Sequence, residues 1–313
     1  MDERWGRVVF TADGRPFTWE DVAAHARGRG TWLTLERETA DGLAAAAGGD
    51  PSREDVRAAE VGFRQARRLI AAEDTERWLA QRQLTIAEWR AWVRADVCRR
   101  ATPDGPDASV DAVDAAEVDA ADVAAAVWVT GWCTGMLEGL ARDLAHRVAA
   151  QGAMAEGGVD LGPDDAYDRL VEAAASDDAV KASVASHLLD WMALDGDWLS
   201  FPDEDAAREG LVCLREDGMG MDELAEAVGA AAVRRRTVIA DLDHAWRLRF
   251  LSSQEGDHLG PVPVDDGLAI VAVRAKVMPS VNDGEVRERA RRLLVARAVD
   301  RETEKRVRWH EPL

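Results

Sequence analysis

The hydrophobic pattern of this chain changes character near residue 190, and that change is the strongest constraint on its fold. Before it, apolar residues recur at helical spacing, as in the segment after Thr85 that places Ile86, Trp89 and Val93 on one face. After it, short strand and helix patterns alternate, and residues 268–277 form a continuous apolar, β-branched run bounded by turn residues. The sequence therefore predicts an α+β chain whose first part is mostly helical and whose second part holds a small sheet.

Three segments follow from these patterns: residues 1–190, a helical module; residues 191–280, a small domain of strands and helices; and residues 281–313, a last helix. Within the module, residues 101–123 hold seven acidic residues and no basic one. Such a run predicts a solvated acidic linker that leads into a helix. Calcium binding is the alternative, although the regular Asp-x-Asp-x-Asp-Gly loop is absent.

Residues 123–150 give the longest continuous helix pattern in the chain. Glycine recurs in it at every fourth position, at Gly131, Gly135 and Gly139. A glycine inside a soluble helix costs about 1 kcal/mol relative to alanine. Three glycines on one face therefore indicate that another backbone or a ligand lies close, and one alternative is a homodimer in which this helix packs on its symmetry mate.

Charge and composition restrict the partners. The chain has 39 basic and 59 acidic residues, a formal net charge of −20. Such a surface disfavours nucleic acid and anionic lipid, both of which attract basic proteins. No run of 18 apolar residues and no apolar leader is present, so neither a membrane span nor a signal peptide is predicted. Three widely spaced cysteines predict no disulfide framework, and hence a cytoplasmic location.

Four residues are candidates for catalysis near the junction of the two parts. Cys133 is a candidate nucleophile, assisted by His146 or His187. Asp190 follows His187 by three residues, so on a helix its carboxylate orients the imidazole as a general base. The alternatives are a buried structural thiol and a polar hydrogen bond. Motifs of zinc proteases, serine hydrolases, nucleotide hydrolases and dinucleotide enzymes are absent, and no metal or cofactor is predicted.

Aromatic and basic side chains are candidates for binding a peptide. The chain has 12 Trp against 5 Phe and 1 Tyr, and an indole offers both an apolar face and a donor for peptide carbonyls. One triplet of arginines is suited to gripping an acidic segment. The predicted substrate-binding residues are Trp128, Trp132, Trp191, Trp198, Arg234, Arg235 and Arg236. The alternatives are a core rich in tryptophan and a solvated basic strand.

The element order over residues 191–277 resembles the parvulin fold of peptidyl-prolyl isomerases, a βα3βαβ2 arrangement. Residues 255–262 (EGDHLGPV) and 266–273 (DGLAIVAV) are similar to parvulin runs around the final hairpin. Residues 13–21 (DGRPFTWED) are similar to the entry segment of SurA-type chaperones. The resemblance implies a SurA-like module, onto which the C-terminal helix packs back, beside a parvulin-like domain. It also implies kinship with proteins of peptide maturation in natural-product biosynthesis.

The chain departs from the parvulin pattern at two positions. A parvulin site usually carries one histidine on its first strand and another on its last, where this chain has residues 198–201 (WLSF) and 268–270 (LAI). Isomerisation of an Xaa-Pro bond crosses a barrier of about 18–20 kcal/mol. Without those polar groups we expect no standard isomerase activity, whereas a groove and strand edges still bind a peptide.

The resulting expectation is a protein that binds a peptide or an unfolded polypeptide. It would act as a foldase-like chaperone or as an accessory protein in peptide maturation. The alternative is an enzyme that uses the same scaffold for chemistry on a peptide or a small molecule at the junction.

Overall fold

The computed structural model describes residues 3–101, 118–264, 267–311 and 313. Helices and antiparallel strands share these residues, so the predicted α+β class is confirmed. The chain divides into two compact units: unit 1 is Met1–Arg169 with Val299–Leu313, and unit 2 is Leu170–Ala298. The boundaries predicted from the sequence, 190/191 and 280/281, differ from these unit boundaries. The predicted division into a chaperone-like module, a parvulin-like domain and a last helix stays a prediction. Most of the predicted acidic linker, 101–123, lies outside the described residues.

The elements up to the unit boundary are β1 Val8–Ala12, β2 Arg15–Thr18, α1 Trp19–Gly28, α2 Trp32–Gly48, α3 Arg53–Ala66, α4 Ala72–Gln81, α5 Ile86–Ala101, α6 Ala120–Thr134, α7 Met136–Glu156 and α8 Pro163–Ala174. Those that follow are α9 Asp177–Ser186, β3 Ala193–Phe201, α10 Glu204–Arg215, α11 Met221–Val228, β4 Val233–Val238, α12 His244–Ser252, β5 His258–Val264, β6 Gly267–Val277, α13 Gly284–Arg306 and β7 Val307–Trp309.

Local sequence explains where these helices begin. Thr18 forms the capping box expected from its spacing to Asp21, and each side chain bonds the other's backbone N–H. Ser52, Asp119 and Asp203 likewise accept a hydrogen bond from the first turn of α3, α6 and α10. The N-terminal donors of these helices are therefore satisfied locally.

Unit 1 is built on tryptophan packing. Trp19 meets Trp128 and Trp132 edge-on, with ring centroids 5.5 and 5.1 Å apart. Trp5 meets Trp128 in the same way at 4.9 Å. Edge-to-face pairs of this kind add about 0.5–1.5 kcal/mol beyond the area they bury.

The end of the chain closes unit 1. Strand β7 pairs antiparallel with β1, which gives the sheet order β2-β1-β7. Trp19 Nε1 donates to Glu311 Oε2 at 3.2 Å, and Arg7 lies 2.7 Å from the other oxygen of that carboxylate. The N-terminal and C-terminal segments of unit 1 are thus joined by strand pairing, a hydrogen bond and an ion pair.

The predicted continuous helix over 123–150 is wrong, because the chain breaks at Gly135. This residue adopts φ +81°, the left-handed region in which glycine is favoured, and it ends α6. Helix α7 leaves at 82° to α6. Of the three, only Gly131 is closely approached: a Cβ added there would lie 2.5 Å from Leu137 Cγ, whereas a Cβ added at Gly139 would have no described neighbour within 4 Å. Gly131 and Gly135 therefore serve a helix corner, and the homodimer alternative stays a prediction.

Unit 2 is organised around the antiparallel sheet β4-β3-β6-β5. One face carries Leu194, Trp198 and Val271, which pack with Phe250 of α12. The other face carries residues such as Leu199, which pack against α10 and α11. Two helices, rather than the three of the parvulin pattern, connect β3 to β4. Both sheet faces are covered, and that leaves the outer strands as the places where main chain meets solvent.

No single described helix is both long and apolar enough to cross a membrane, although the bent pair α6 and α7 passes that test jointly.

Candidate functional site

Strand β4 is an edge strand whose main chain is directed outward at alternate residues. It pairs with β3 on one side, and no described strand pairs with its other side. The Ile239 N–H donates to Met192 O at 2.9 Å, in the same register. Because alternate residues of an antiparallel pair turn their N–H and C=O toward the partner, Arg234, Arg236 and Val238 turn theirs away from β3. No described residue hydrogen-bonds to these outward groups.

A groove lies beside this open edge. Its volume is about 440 Å³, and its lining comes from β3, β4, the end of β6 and the start of α13. The apolar part of the lining includes Trp191, Ala193, Val238, Val277 and Val286. The polar rim includes Arg236, Asp283, Glu285, Glu288, Arg289 and Arg292. This face of the sheet therefore has an apolar floor and a charged rim that reach β4.

The rim arginines nearest the floor are already paired. Arg236 donates from Nε to Asp195 Oδ1 at 2.8 Å, and its Nη1 lies 3.8 Å from Asp283. This hydrogen bond lowers the pKa of Asp195 and raises that of Arg236. Arg289 bonds both carboxylate oxygens of Asp241, at 2.9 and 2.7 Å. These pairs neutralise Arg236 and Arg289, whereas Asp283, Glu285 and Glu288 give the rest of the rim an acidic excess over Arg292.

Arg234 and Arg235 differ from Arg236 in this respect. The register partner of Arg234 is Asp197, whose carboxylate accepts a hydrogen bond from Arg274 instead. Among described residues, no carboxylate lies within 4.0 Å of the Arg234 or Arg235 guanidinium. Arg235 rests over the Trp198 ring, 5.3 Å from its centroid. Two cations at the open edge are thus available to a partner.

The structure brings two of the predicted substrate-binding residues, Trp191 and Arg236, into one groove. Trp128 and Trp132 lie elsewhere, in the core of unit 1, and each is 1% exposed. The Trp128 indole donates to Arg82 O at 2.9 Å. This burial corresponds to the tryptophan-rich core that the sequence left open, so neither ring faces solvent for a ligand.

Trp198 occupies the sheet face opposite the groove. It is buried and stacks on Phe250, with ring centroids 6.2 Å apart. Ala269 on β6 belongs to the same buried cluster. An apolar ring and a methyl group therefore lie together on this face, and neither transfers a proton.

The thiol of Cys133 is buried and unactivated. Burial raises its pKa to about 12, and Cys133 is only 2% exposed. Within the described part of the chain no histidine hydrogen-bonds to it, and its carbonyl accepts a hydrogen bond from Arg67. Because the thiolate is the nucleophile, a thiol of this pKa is inert near neutral pH.

The other catalytic candidates differ in their surroundings within their own units. His146 lies in unit 1, where burial lowers its pKa against the charge of Asp300. In unit 2, His187 Nδ1 donates to Ser183 O at 2.8 Å and its ring stacks on Trp191. Asp190 is exposed, and no hydrogen bond between described residues joins its carboxylate to His187. The catalytic roles of these residues stay predictions.

Sequence reasoning did not identify the remaining groove residues. Met278 and Asp283 lie in a connection with no motif, and Arg289 is one of many charges on α13. The one sequence signal that could have identified groove residues was the alternation of side chains along β4. It places Arg234 and Arg236 on one face of the strand and Arg235 on the other. Among described residues, no group of three or more His, Cys, Asp or Glu side chains is arranged to hold a metal.

Comparison with known proteins gives structural neighbours only. No family model matches the chain, and no curated protein matches it significantly.

Three solved structures align over nearly the whole chain. A structure of the Campylobacter jejuni proteins PEB4 and Cj1289, described as SurA-like chaperones, covers 96% of this chain and 98% of its own, at 8% identity and a TM-score of 0.21. PrsA from Bacillus subtilis covers 96% and 92%, at 11% identity and a TM-score of 0.25. The foldase protein PrsA from Lactococcus lactis covers 97% and 95%, at 11% identity and a TM-score of 0.29. Similarity this low carries no argument about what the present chain does.

Proposed function

We propose that this protein binds extended polypeptide segments by adding them as a fifth strand at β4, and that it acts as a foldase-like chaperone without prolyl isomerase chemistry. The observation that carries the proposal is the outward main chain of Arg234, Arg236 and Val238 beside an apolar groove. The clients are unfolded chains or precursor peptides awaiting maturation.

Strand addition suits a protein with many clients. An added strand lies about 4.8 Å from β4, and its main-chain hydrogen bonds are independent of sequence. Each contributes about 0.5–1.5 kcal/mol net. Side chains at every second position then enter the groove, where exposed Met278 is a flexible apolar contact that adapts to different shapes. Affinity thus comes from the backbone and modest selectivity from the groove.

Isomerisation is excluded from the proposal because of what fills the other face of the sheet. Twisting an Xaa-Pro amide requires groups that stabilise its altered carbonyl and nitrogen during the passage. Trp198, Phe250 and Ala269 offer no such group, and their side chains pack together in a buried cluster. We therefore expect binding without turnover.

Amide hydrogen exchange tests the binding mode directly. In the free protein we expect β3 to protect the Arg235 and Thr237 amides and the amides of Arg234, Arg236 and Val238 to exchange rapidly. Addition of the labelled peptide Ser-Thr-Ile-Thr-Val-Glu-Glu-Thr-Ser should slow the three outward amides selectively. Binding that leaves these three amides fast would refute strand addition at β4.

A matched pair of variants tests the consequence for chaperone activity. Arg234→Pro removes an outward N–H without touching the ladder to β3, and Arg234→Gln removes the same charge but keeps the N–H. Light scattering from lysozyme during reduction reports suppression of aggregation. We expect suppression by the wild type and by Arg234→Gln, and a clear loss in Arg234→Pro at unchanged thermal stability. Equal suppression by all three proteins would place client binding elsewhere.

A further inference from the structure

The register of β4 sets a charge preference for the client. Resting on the proposed strand addition, the geometry points to segments in which an apolar residue is followed three and four positions later by acidic residues. The order of Val238, Arg236, Arg235 and Arg234 along β4 sets this spacing.

The apolar position comes from the groove. An antiparallel added strand continues the pattern of this sheet, and its residue opposite Val238 points to the same face as Val238. That face carries Ala193 and Val277 of the groove floor. The client residue at this position is therefore apolar.

The acidic positions come from the two arginines without carboxylates. Reading backward along β4, the client residue four places after the apolar one lies opposite Arg234, and the residue three places after it lies opposite Arg235. The client residue two places after the apolar one lies opposite Arg236, which Asp195 already neutralises. Opposite charges on facing strands stabilise the pair, and like charges destabilise it. Two acidic residues in the client thus supply the carboxylates that β3 does not offer to Arg234 and Arg235.

A second copy of this chain is a poorer occupant of the same edge. Pairing β4 with β4 around a twofold axis would bring two arginine triplets side by side. Edge arginines also guard a sheet against such self-pairing. Charge complementarity therefore favours an acidic strand over a homodimer at this edge.

The preference must be local in origin. The chain as a whole carries a net charge of −20, so long-range repulsion disfavours an acidic peptide. At physiological salt the Debye length is about 8 Å, which leaves contacts at β4 intact while it screens the distant charge. A client with acids at the wrong positions should consequently gain nothing.

Fluorescence anisotropy with charge-swapped peptides tests this inference. The peptide Ser-Thr-Ile-Thr-Val-Glu-Glu-Thr-Ser carries isoleucine followed by glutamates at the third and fourth positions after it. We expect it to bind about tenfold more tightly than its counterpart with Lys-Lys in place of Glu-Glu. In the double variant Arg234→Gln with Arg235→Gln the ratio should fall to about threefold or less. Arg297→Gln, at an exposed α13 position that forms no ion pair with another described residue, is the matched control and should keep the ratio.

The outcomes separate this inference from the proposed function. Equal binding of both peptides, with the outward amides protected, would overturn the charge preference and leave strand addition in place. A preference that survives in the double variant would also overturn the inference, because residues other than Arg234 and Arg235 would then interact with the peptide's charges. Failure of every peptide to bind would remove the proposed function itself, and the arginines would then serve only to guard the edge.

Discussion

Trp198 stacks on Phe250 with ring centroids 6.2 Å apart and ring planes 27° apart. The stack joins β3 to α12, and the indole Nε1 is buried without a hydrogen-bond partner among the described residues. A buried ring with an unsatisfied donor, covered by the Arg235 guanidinium on one side, contributes volume to the core and no proton chemistry. This relationship separates the sheet face that stabilises unit 2 from the edge that we propose to bind clients.

Replacing this ring tests its structural role. Trp198→Ala should lower the free energy of unfolding by about 3–5 kcal/mol, as for other buried aromatic residues. Exposed Val233→Ala on β4 is the control and should change it by about 0.5 kcal/mol or less. Urea denaturation measures both, and an effect of Trp198→Ala no larger than the control would contradict the packing described here.

Absence of isomerase activity is a separate prediction. The wild-type protein should leave the isomerisation rate of short Xaa-Pro peptides at its value in buffer, because the sheet face has no group to polarise the amide. A protease-coupled assay measures this rate, with a parvulin as the positive control. Acceleration that disappears in Trp198→Ala would show that we have misread this face.

The glycines of the α6–α7 corner give opposite predictions. Gly131→Ala should destabilise unit 1 by about 1–3 kcal/mol, because the new Cβ would lie 2.5 Å from Leu137 Cγ, in a side chain that is fully buried. Gly139→Ala should stabilise it by up to about 1 kcal/mol, since the position is helical and open. Thermal unfolding measures both. Destabilisation by both substitutions would mean that something unseen covers Gly139.

These glycines also show how far the sequence could be interpreted. A glycine at every fourth residue fits a packing stripe and a helix break equally well, and φ at Gly135 decides between them. The strand over 268–277 was predictable because turn residues bound it, and β6 is Gly267–Val277. Helix starts were predictable where a side chain caps its own first turn, as at Thr18. In both examples the deciding residues lie within or next to the element itself, so the sequence alone was sufficient.

The candidate site was predictable only in part, because it depends on pairing between distant segments. Arg236 was singled out as basic, but its neutralisation by Asp195 follows from the β3–β4 register. The availability of Arg234 follows from the engagement of Asp197 by Arg274, which lies 77 positions along the chain. Trp128 and Trp191 have the same chemistry, and only the fold places one in a core and the other beside a groove.

Cysteine reactivity tests whether the Cys133 thiol is buried and un-ionised in the native protein. Its pKa of about 12 leaves about one thiol in ten thousand ionised at pH 8. Iodoacetamide at that pH should therefore label half-buried Cys213 well before Cys133 in the native protein. In urea the two should react alike. Mass spectrometry of the peptides measures the rates, and native labelling of Cys133 as fast as that of Cys213 would revive the nucleophile hypothesis.

The last prediction concerns a charge cluster in unit 1 and its dependence on pH. Arg147 Nε donates to both oxygens of Asp143 at 3.1 Å, and His25 Nε2 lies 3.0 Å from Oδ2. Burial by itself raises the pKa of Asp143, but these hydrogen bonds and the charges of Arg147 and Arg29 outweigh it, and the pKa falls below the ordinary 3.8. The cluster joins α1 to α7, so it stabilises unit 1.

The sign of the pH effect follows from proton binding. Because the folded pKa of Asp143 is the lower one, the native state binds fewer protons than the unfolded state as the pH falls through this range. The stabilisation is full above about pH 3.8 and is lost on further acidification. Asp143→Asn should therefore cost about 1 kcal/mol at pH 7, a value at the low end for charged hydrogen bonds since the carboxylate is partly exposed. At pH 3 the difference from wild type should shrink. Exposed Asp168→Asn on α8 is the control, and urea midpoints at both pH values decide the matter: an undiminished difference at pH 3 would mean that Asp143 acts through packing and not through its charge.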